Sequence, residues 1–499
     1  MICRRDLGAA LSALALSALA LPLAGCSDDS GAETRAAGPA SNPAVVQLLS
    51  QADEALAAGD LAEAGRKLDQ GLAAAPDDPD LWVAIARLRF RGGEHLTALE
   101  AADRALALGP DHAPALLLRA LMVRDAHGAA DALPWFEAAL AADPDNADAW
   151  ADYAATLGDG GRNRAMLRAV RKLQALAPDD PRGFYLQAVL AARGGEYTLA
   201  RSLLGRSGMA ARGVPAALLL DGVISLAEGN ADSAADTFEA LAARQPANAR
   251  VRELLAKALL EADRHEDLIA RFAGEASRAE ASPYLMLLVA RAYEQIGTRE
   301  RAAPLLARAY DLRPRPAAVL APREGLPPPT NAARRVGLAG DWGAAKAGAR
   351  ALSLRFSASA DVAALSGDIM LGARDPQAAL AAYTRAATIR RPWPLTRKAV
   401  LAYRAVGDNA AADTLLARHV AGEPDSANAL YALAEQQAAI GAWARTALLL
   451  DHAIARGAGH DPALLGLRLR AARALGEAGA TRRYAALLAA VRPRRLDKN

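Results

Sequence analysis

The sequence predicts an all-α chain of tandem helix–turn–helix units, and three observations carry that prediction. Prolines recur at Pro76, Pro110, Pro144 and Pro178, each 34 residues after the last. Hydrophobic residues make up 53% of the chain but aromatics only 4%, so the apolar content is mostly Ala and Leu, both good helix formers. Few β-branched runs occur, which argues against sheets. The punctuation is clearest at Asp143-Pro144-Asp145-Asn146-Ala147-Asp148-Ala149-Trp150. Pro144 cannot sit inside a helix, because it lacks an N–H and its ring clashes with the preceding turn. The neighbouring Asp and Asn can cap the next helix by accepting its free N–H groups. Trp150 then opens an apolar face.

A 34-residue period with this punctuation resembles the tetratricopeptide repeat family, and the resemblance covers most of the 499 residues. It implies a right-handed α-solenoid. In that family small residues recur at positions eight, twenty and twenty-seven of each repeat, where two helices approach closely. Position fifteen is often Gly and position thirty-two Pro. The second repeat, starting at Pro79, fits with Trp82, Ile85, Ala86, Gly93, Ala98, Ala105 and Pro110. The third offers Ala120, Ala132, Phe136 and Ala139. The fourth has Trp150, Ala154, Leu157 and Gly161, with Met166 in place of a small residue. The fifth and sixth keep Ala188, Gly195, Ala200, Gly222, Gly229, Ala234 and Phe238. The seventh is degenerate, and the eighth recovers with Ala290, Tyr293, Gly297 and Ala302. Later units carry Gly367, Ala379 and Tyr383, then Tyr403, Gly407 and Ala412, then Ala434 and Gly441, then Gly476. About thirteen units result, and neighbours must stack to bury a continuous core.

The regularity falters at Pro316, Pro322 and Pro327-Pro328-Pro329, where consecutive prolines favour an extended chain over a first helix. An array over 44–314, a Pro-rich break over 315–330 and a second array over 331–495 are therefore expected. The break is either a boundary between two superhelical segments or a loop bulging from one stack.

The N-terminus reads as an export signal: Arg4 and Arg5, an apolar run from Leu7 to Leu23, then Ala24-Gly25-Cys26. The run is short for a membrane span, which takes about 20 residues. Leu23-Ala24-Gly25-Cys26 resembles a bacterial lipobox. That resemblance implies cleavage after residue 25 and acylation of Cys26, with Cys3 leaving in the signal over 1–25. Ser27 is similar to the residue that sends such lipoproteins of Gram-negative bacteria to the periplasmic face of the outer membrane; the inner membrane is the alternative address. Arg4-Arg5-Asp6-Leu7 also bears a resemblance to a twin-arginine signal. Residues 27–43 are mostly Ser, Asp, Gly, Ala and Pro without periodicity, so 26–43 reads as a flexible tether.

In the tetratricopeptide family first helices line a concave face that binds peptides or helices. Projected onto this chain, that face carries Arg87, Phe90 and Arg124, then Tyr185, Val189 and Arg193, then Leu219, Val223 and Leu226, then Lys257, Tyr284, Leu287 and Arg291. The resemblance implies an apolar, tyrosine-containing floor between basic flanks, suited to an amphipathic segment of a protein partner. The bland reading is that Leu219, Val223 and Leu226 pack within the array and the arginines are solvated.

Chemistry-bearing motifs are scarce. No two of the seven His have the helical spacing of zinc hydrolases, and His265-Glu266-Asp267 lacks the second His, so no metal is expected. Gly158-Asp159-Gly160-Gly161 joins two predicted helices, whereas a phosphate loop follows a strand. Gly205-Arg206-Ser207-Gly208 lacks the spacing of a nucleophile elbow. No catalytic residue, cofactor or small-molecule substrate is expected. The net charge of +3, with acids and bases interleaved, gives no footprint for nucleic acid. Trp82 and Trp150 fall on packing positions, while Trp393, between Pro392 and Pro394, is the tryptophan the repeat explains least.

The expectation is a lipid-anchored, non-catalytic scaffold holding an envelope protein. Its architecture is similar to tetratricopeptide lipoproteins of exopolysaccharide export and envelope assembly. The alternatives are a glycan or peptidoglycan binder and a transferase within a divergent repeat.

Overall fold

The computed structural model describes residues 43–246, 248–278, 281–309, 319–320, 328–424, 426–456 and 458–491. The export signal, Cys26 and nearly all of the tether lie outside the described residues, as do Pro314, Pro316, Pro322, Pro327 and the tail after Pro493.

The described residues contain 26 α-helices and no strand. The helices follow one another in pairs. Pair 1 is Pro43–Ala58 and Leu61–Ala74, pair 2 Pro79–Arg91 and His95–Leu108, and pair 3 Ala113–His127 and Ala129–Ala142. Pair 4 is Ala147–Asp159 and Asn163–Leu176, pair 5 Pro181–Arg193 and Tyr197–Ser207, and pair 6 Pro215–Ala227 and Ala231–Arg244. Pair 7 is Ala249–Glu261 and His265–Ala276, and pair 8 Pro283–Gln295 and Arg299–Ala309. Pair 9 is Pro328–Leu338 and Trp342–Arg355, pair 10 Ala360–Gly372 and Pro376–Ala387, and pair 11 Trp393–Ala405 and Asn409–Gly422. Pair 12 is Ala427–Ala439 and Trp443–Ala455, and pair 13 Pro462–Ala474 and Ala478–Val491. The degenerate seventh unit thus still forms two helices.

Sequence dictates both ends of the first helices. At the start a short polar side chain accepts a backbone N–H: Asp78 from Asp80, Asp180 from Arg182 and Asp461 from Ala463, each with Pro next in line. At Asn146 the side chain accepts from the Ala149 N–H at 2.9 Å, and the Trp150 indole N–H donates to the Pro144 carbonyl at 2.8 Å. Trp82 does the same to Pro76. At the end, one residue turns left-handed. Gly59, Gly93, Gly161, Gly195 and Gly229 all have φ between 71° and 84°, where glycine carries no Cβ penalty. The next N–H then reaches back across the turn: Asp60 to Ala55, Glu94 to Arg89, Arg162 to Leu157, Glu196 to Ala191 and Asn230 to Ser225, at 2.8–2.9 Å. Pairs 7 and 10 make the same bond with Asp263 and Arg374 in the left-handed position, at φ 56° and 61°.

Close helix approach rests on small residues. Ala86, Ala98, Ala120, Ala132, Ala154, Ala188, Ala200, Ala234, Ala256 and Ala290 have no exposed surface. Where Met166 replaces a small residue, Gly158 opposite it makes the room: a Cβ at 158 would lie 2.7 Å from the Met166 sulfur.

Consecutive prolines predict no first helix before Gly340. The structure differs, because Pro328 and Pro329 begin the helix Pro328–Leu338. A proline in the first turn loses no hydrogen bond, since that N–H has no partner within the helix in any case.

The described residues divide into two compact units. One contains those of 43–156 and 327–408, and the other those of 157–326 and 409–499. The first has an apolar core running from Val45 and Leu68 through Leu81, Ile85 and Ala102 to Met122, and a second around Phe136, Leu117 and Val123. Within it, the start of His95–Leu108 meets residues far along the chain: the Leu96 N–H donates to the Ala358 carbonyl at 3.2 Å. The second unit has a cluster of Leu430, Leu450, Leu464 and Leu467, and another of Leu465, Tyr484 and Leu488.

Candidate functional site

The face projected from sequence divides between the units. Arg87, Phe90 and Arg124 lie in the first, and Tyr185, Arg193, Leu219, Lys257, Tyr284 and Arg291 in the second.

In the second unit the floor is largely packed. Tyr185, Val189, Val223 and Leu226 are all buried, each at 6% exposure or less. The Tyr185 hydroxyl donates to the Ala216 carbonyl on the next first helix at 3.5 Å. Burial, reinforced by the nearby Asp159, pushes this phenol far above its usual range against the pull of Arg193. Leu219, Tyr284 and Leu287 are half-buried and form the accessible apolar part of the face.

The basic flank is paired. Arg193 donates to the Gly158 carbonyl at 2.9 Å and to the Asn163 side chain at 3.1 Å. Lys257 lies 3.6 Å from Glu261, and Arg291 lies 2.5 Å from Glu294, with the Arg291 side chain 44% exposed. Pairs one helical turn apart contribute only tenths of a kcal/mol, about 0.3–0.5 kcal/mol where measured. An incoming carboxylate can therefore compete for Arg291.

In the first unit Arg87 is exposed and faces Asp53, whose carboxyl is raised by burial and only partly drawn back by that guanidinium. Phe90 packs edge-on against His95, ring centroids 5.2 Å apart. Arg124 is 3.6 Å from Asp152 and donates to the Thr156 hydroxyl at 3.4 Å.

A buried charge cluster lies outside the face projected from sequence. Asp368, 1% exposed, lies among Arg334 at 3.2 Å and Lys398 at 2.7 Å, and accepts the Tyr383 hydroxyl hydrogen at 3.0 Å. Burial and then the Asp368 charge push the Tyr383 phenol far above its usual range. The signal was present: Arg334 and Asp368 are one 34-residue period apart and of opposite sign. The first-helix face projected from sequence ends at repeat eight and does not include them. A second cluster closes the other unit. Arg468 donates to both Asp451 oxygens at 2.8 and 3.0 Å, approaches Glu477 at 3.3 Å, and stacks 4.7 Å over Tyr484. Burial opposes the Asp451 charge, but hydrogen bonds from Arg468 and Tyr484 outweigh it and hold that carboxyl below its usual value.

Among the described residues no three His, Cys, Asp or Glu side chains converge as a metal site would need. No helix there is long and apolar enough to cross a membrane.

The tetratricopeptide repeat family model matches residues 49–113, 83–147 and 224–274. Among solved structures, the chain is similar to a tetratricopeptide repeat protein from Parabacteroides merdae, at 16% identity over 54% of this chain and 93% of that one, TM-score 0.28. It is similar to PilW, described as a type IV pilus biogenesis factor, at 20% identity over 43% of this chain and 100% of that one, TM-score 0.36. It is also similar to the tetratricopeptide repeat domain of P58(IPK), at 15% identity over 87% of this chain and 99% of that one, TM-score 0.27. No curated protein matches the chain. The described residues are all-α, built of tandem helix–turn–helix units, and the family model matches three stretches of them.

Proposed function

We propose that this chain is a non-catalytic scaffold, lipid-anchored through Cys26 at the periplasmic face of the outer membrane, that holds an envelope protein on the first helices of repeats six to eight. One observation carries the binding part of this reading. Tyr284 and Leu287 leave apolar surface accessible two turns and one turn before the weakly paired Arg291 on the same helix, and Leu219 does so on the first helix of repeat six. An apolar strip with an exchangeable arginine at its edge suits an amphipathic protein segment. The membrane part rests on the lipobox resemblance of residues 23–26.

The test places a photo-crosslinking residue at Leu287 of the full chain in intact cells. The expected result is a discrete protein adduct, lost when Leu219 and Tyr284 are changed to Asp. Adducts no stronger than those from an exposed second-helix position such as Asp232 would overturn the binding reading. Co-sedimentation with purified peptidoglycan in place of a protein adduct would favour the glycan binder. Separately, Cys26→Ser is expected to move the chain from the membrane to the soluble fraction, and unchanged membrane retention would remove the proposed anchor.

A further inference from the structure

Residues 328–408 contain twelve Lys and Arg and five Asp, a formal +7 within a chain whose total is +3. Three of these cations recur every seven residues, Arg390, Arg397 and Arg404, and all three are exposed. The last two lie on the helix Trp393–Ala405, and Arg390 lies three residues before its start, outside the helix. Seven residues are close to two helical turns, so Arg397 and Arg404 share one face about 10 Å apart. Leu401, half-buried, lies between them on that face, and half-buried Trp393 lies one turn before Arg397. Trp393 is the tryptophan that the repeat pattern left unexplained. Lys398 is not part of this row, being committed to Asp368.

We propose that this row docks an acidic amphipathic helix of a protein partner, with carboxylates every seven residues and an apolar side chain between them against Leu401 and Trp393. The proposal rests on the scaffold reading and names the chemistry of one partner segment. A helix repeats its own face at the same two-turn interval, so its carboxylates match the arginine spacing without distortion. Arginine forks meet carboxylates bidentately. A nucleic-acid strand would need several aromatic platforms for its bases, and this face offers Trp393 alone. Arg397 and Arg404 already have interactions within the chain, which an arriving carboxylate would exchange for its own.

The test uses the purified full chain and a labelled synthetic helix with Glu at every seventh position and Leu between. Fluorescence anisotropy is expected to show binding that weakens as salt rises. The double variant Arg397→Glu, Arg404→Glu should weaken it by about tenfold or more, because like charges then face each other. Arg335→Glu with Arg350→Glu makes the same change in net charge at exposed sites off the row, and should shift affinity by less than about twofold. Circular dichroism and the melting temperature show that both double variants fold. Equal loss in the two would overturn the proposal, as would absence of peptide binding. Competition by polyuridylate RNA or heparin as effective as that of unlabelled peptide would also overturn it, assigning the row to polyanions in general. A chain that crosslinks at Leu287 in cells yet ignores the peptide would refute this row and leave the scaffold reading standing.

Discussion

The His95 ring accepts a hydrogen bond from the Ala360 backbone N–H at 3.2 Å, joining residues 265 apart in sequence. The ring acts as a cap for the helix Ala360–Gly372, one of whose first N–H groups has no partner within the helix. Burial lowers the His95 pKa from its usual 6.5, helped by Arg390 and opposed by Asp361, with Phe90 packed edge-on beside the ring. Only the neutral imidazole has a nitrogen free to accept.

A pH dependence follows, and its sign is fixed by that lowering. The unfolded chain binds the proton more readily, so stability rises with pH through this interval. The His95 contribution should be complete above about pH 6.5 and decline as pH falls below it toward the folded pKa. Melting temperatures of the wild type and His95→Phe across this range should converge at the acidic end. A constant difference would show that the ring acts through packing alone.

Asp368 should be costly to remove. Asp368→Ala leaves Arg334 and Lys398 against each other with side-chain exposures of only 12% and 13%. Breaking a buried pair in this way costs about 3–5 kcal/mol. A matching fall in the urea midpoint is expected, with part of it recovered when Lys398→Met is added. No recovery in the double variant would assign the loss to packing around Tyr383.

Gly222 has no room for a methyl group. A Cβ there would lie 2.5 Å from the ring of Phe238, which is fully buried and held between helices. Alanine gains up to about 1 kcal/mol in helix propensity over glycine, but overpacking a tight core costs about 1–3 kcal/mol. The second effect wins because Phe238 cannot swing into solvent. Gly222→Ala should therefore lower the melting temperature, and Gly367→Ala, facing Tyr383, should do so as well. Gly274→Ala, with open space around it, should raise it slightly.

Arg374 occupies a left-handed backbone position that its neighbours in the pattern fill with glycine. An L-residue there costs about 1–2 kcal/mol, offset in part by the greater entropy glycine loses on folding. Arg374→Gly is expected to stabilise the chain by up to about 1 kcal/mol, and Gly229→Ala to destabilise it by a similar amount. Urea denaturation of the two variants checks both signs.

These residues also mark what could be read from sequence. Prolines at a fixed period, Asp or Asn before the first helices and Gly in the turns define the hairpins directly, because each acts on backbone within a few residues of itself. Pro328 and Pro329 differ from the extended chain that consecutive prolines favour, because they stand in a first turn, where the missing N–H costs no hydrogen bond. Met166 departs from the small-residue pattern, and Gly158, which supplies the missing volume, sits on the facing helix rather than beside it in sequence. The Asp368 cluster draws on three successive repeats, and His95 on two remote ones, so neither is visible in any single unit. Part of the first-helix face was legible as apolar, but periodicity does not say which of its residues are already covered. Tyr185 and Val223 are covered, and Leu287 is not.

The left-handed turns have a kinetic consequence. Each reversal is closed by main-chain bonds between residues five or fewer apart, such as Asp60 to Ala55. A hairpin can therefore form before anything distant is in place, and assembly can begin at many points along the chain. The meeting of His95 with Ala360 is of another kind, since the intervening chain must first be brought around. Loop closure over so long a stretch is entropically expensive, so this meeting should come late, after the hairpins on either side of it are built.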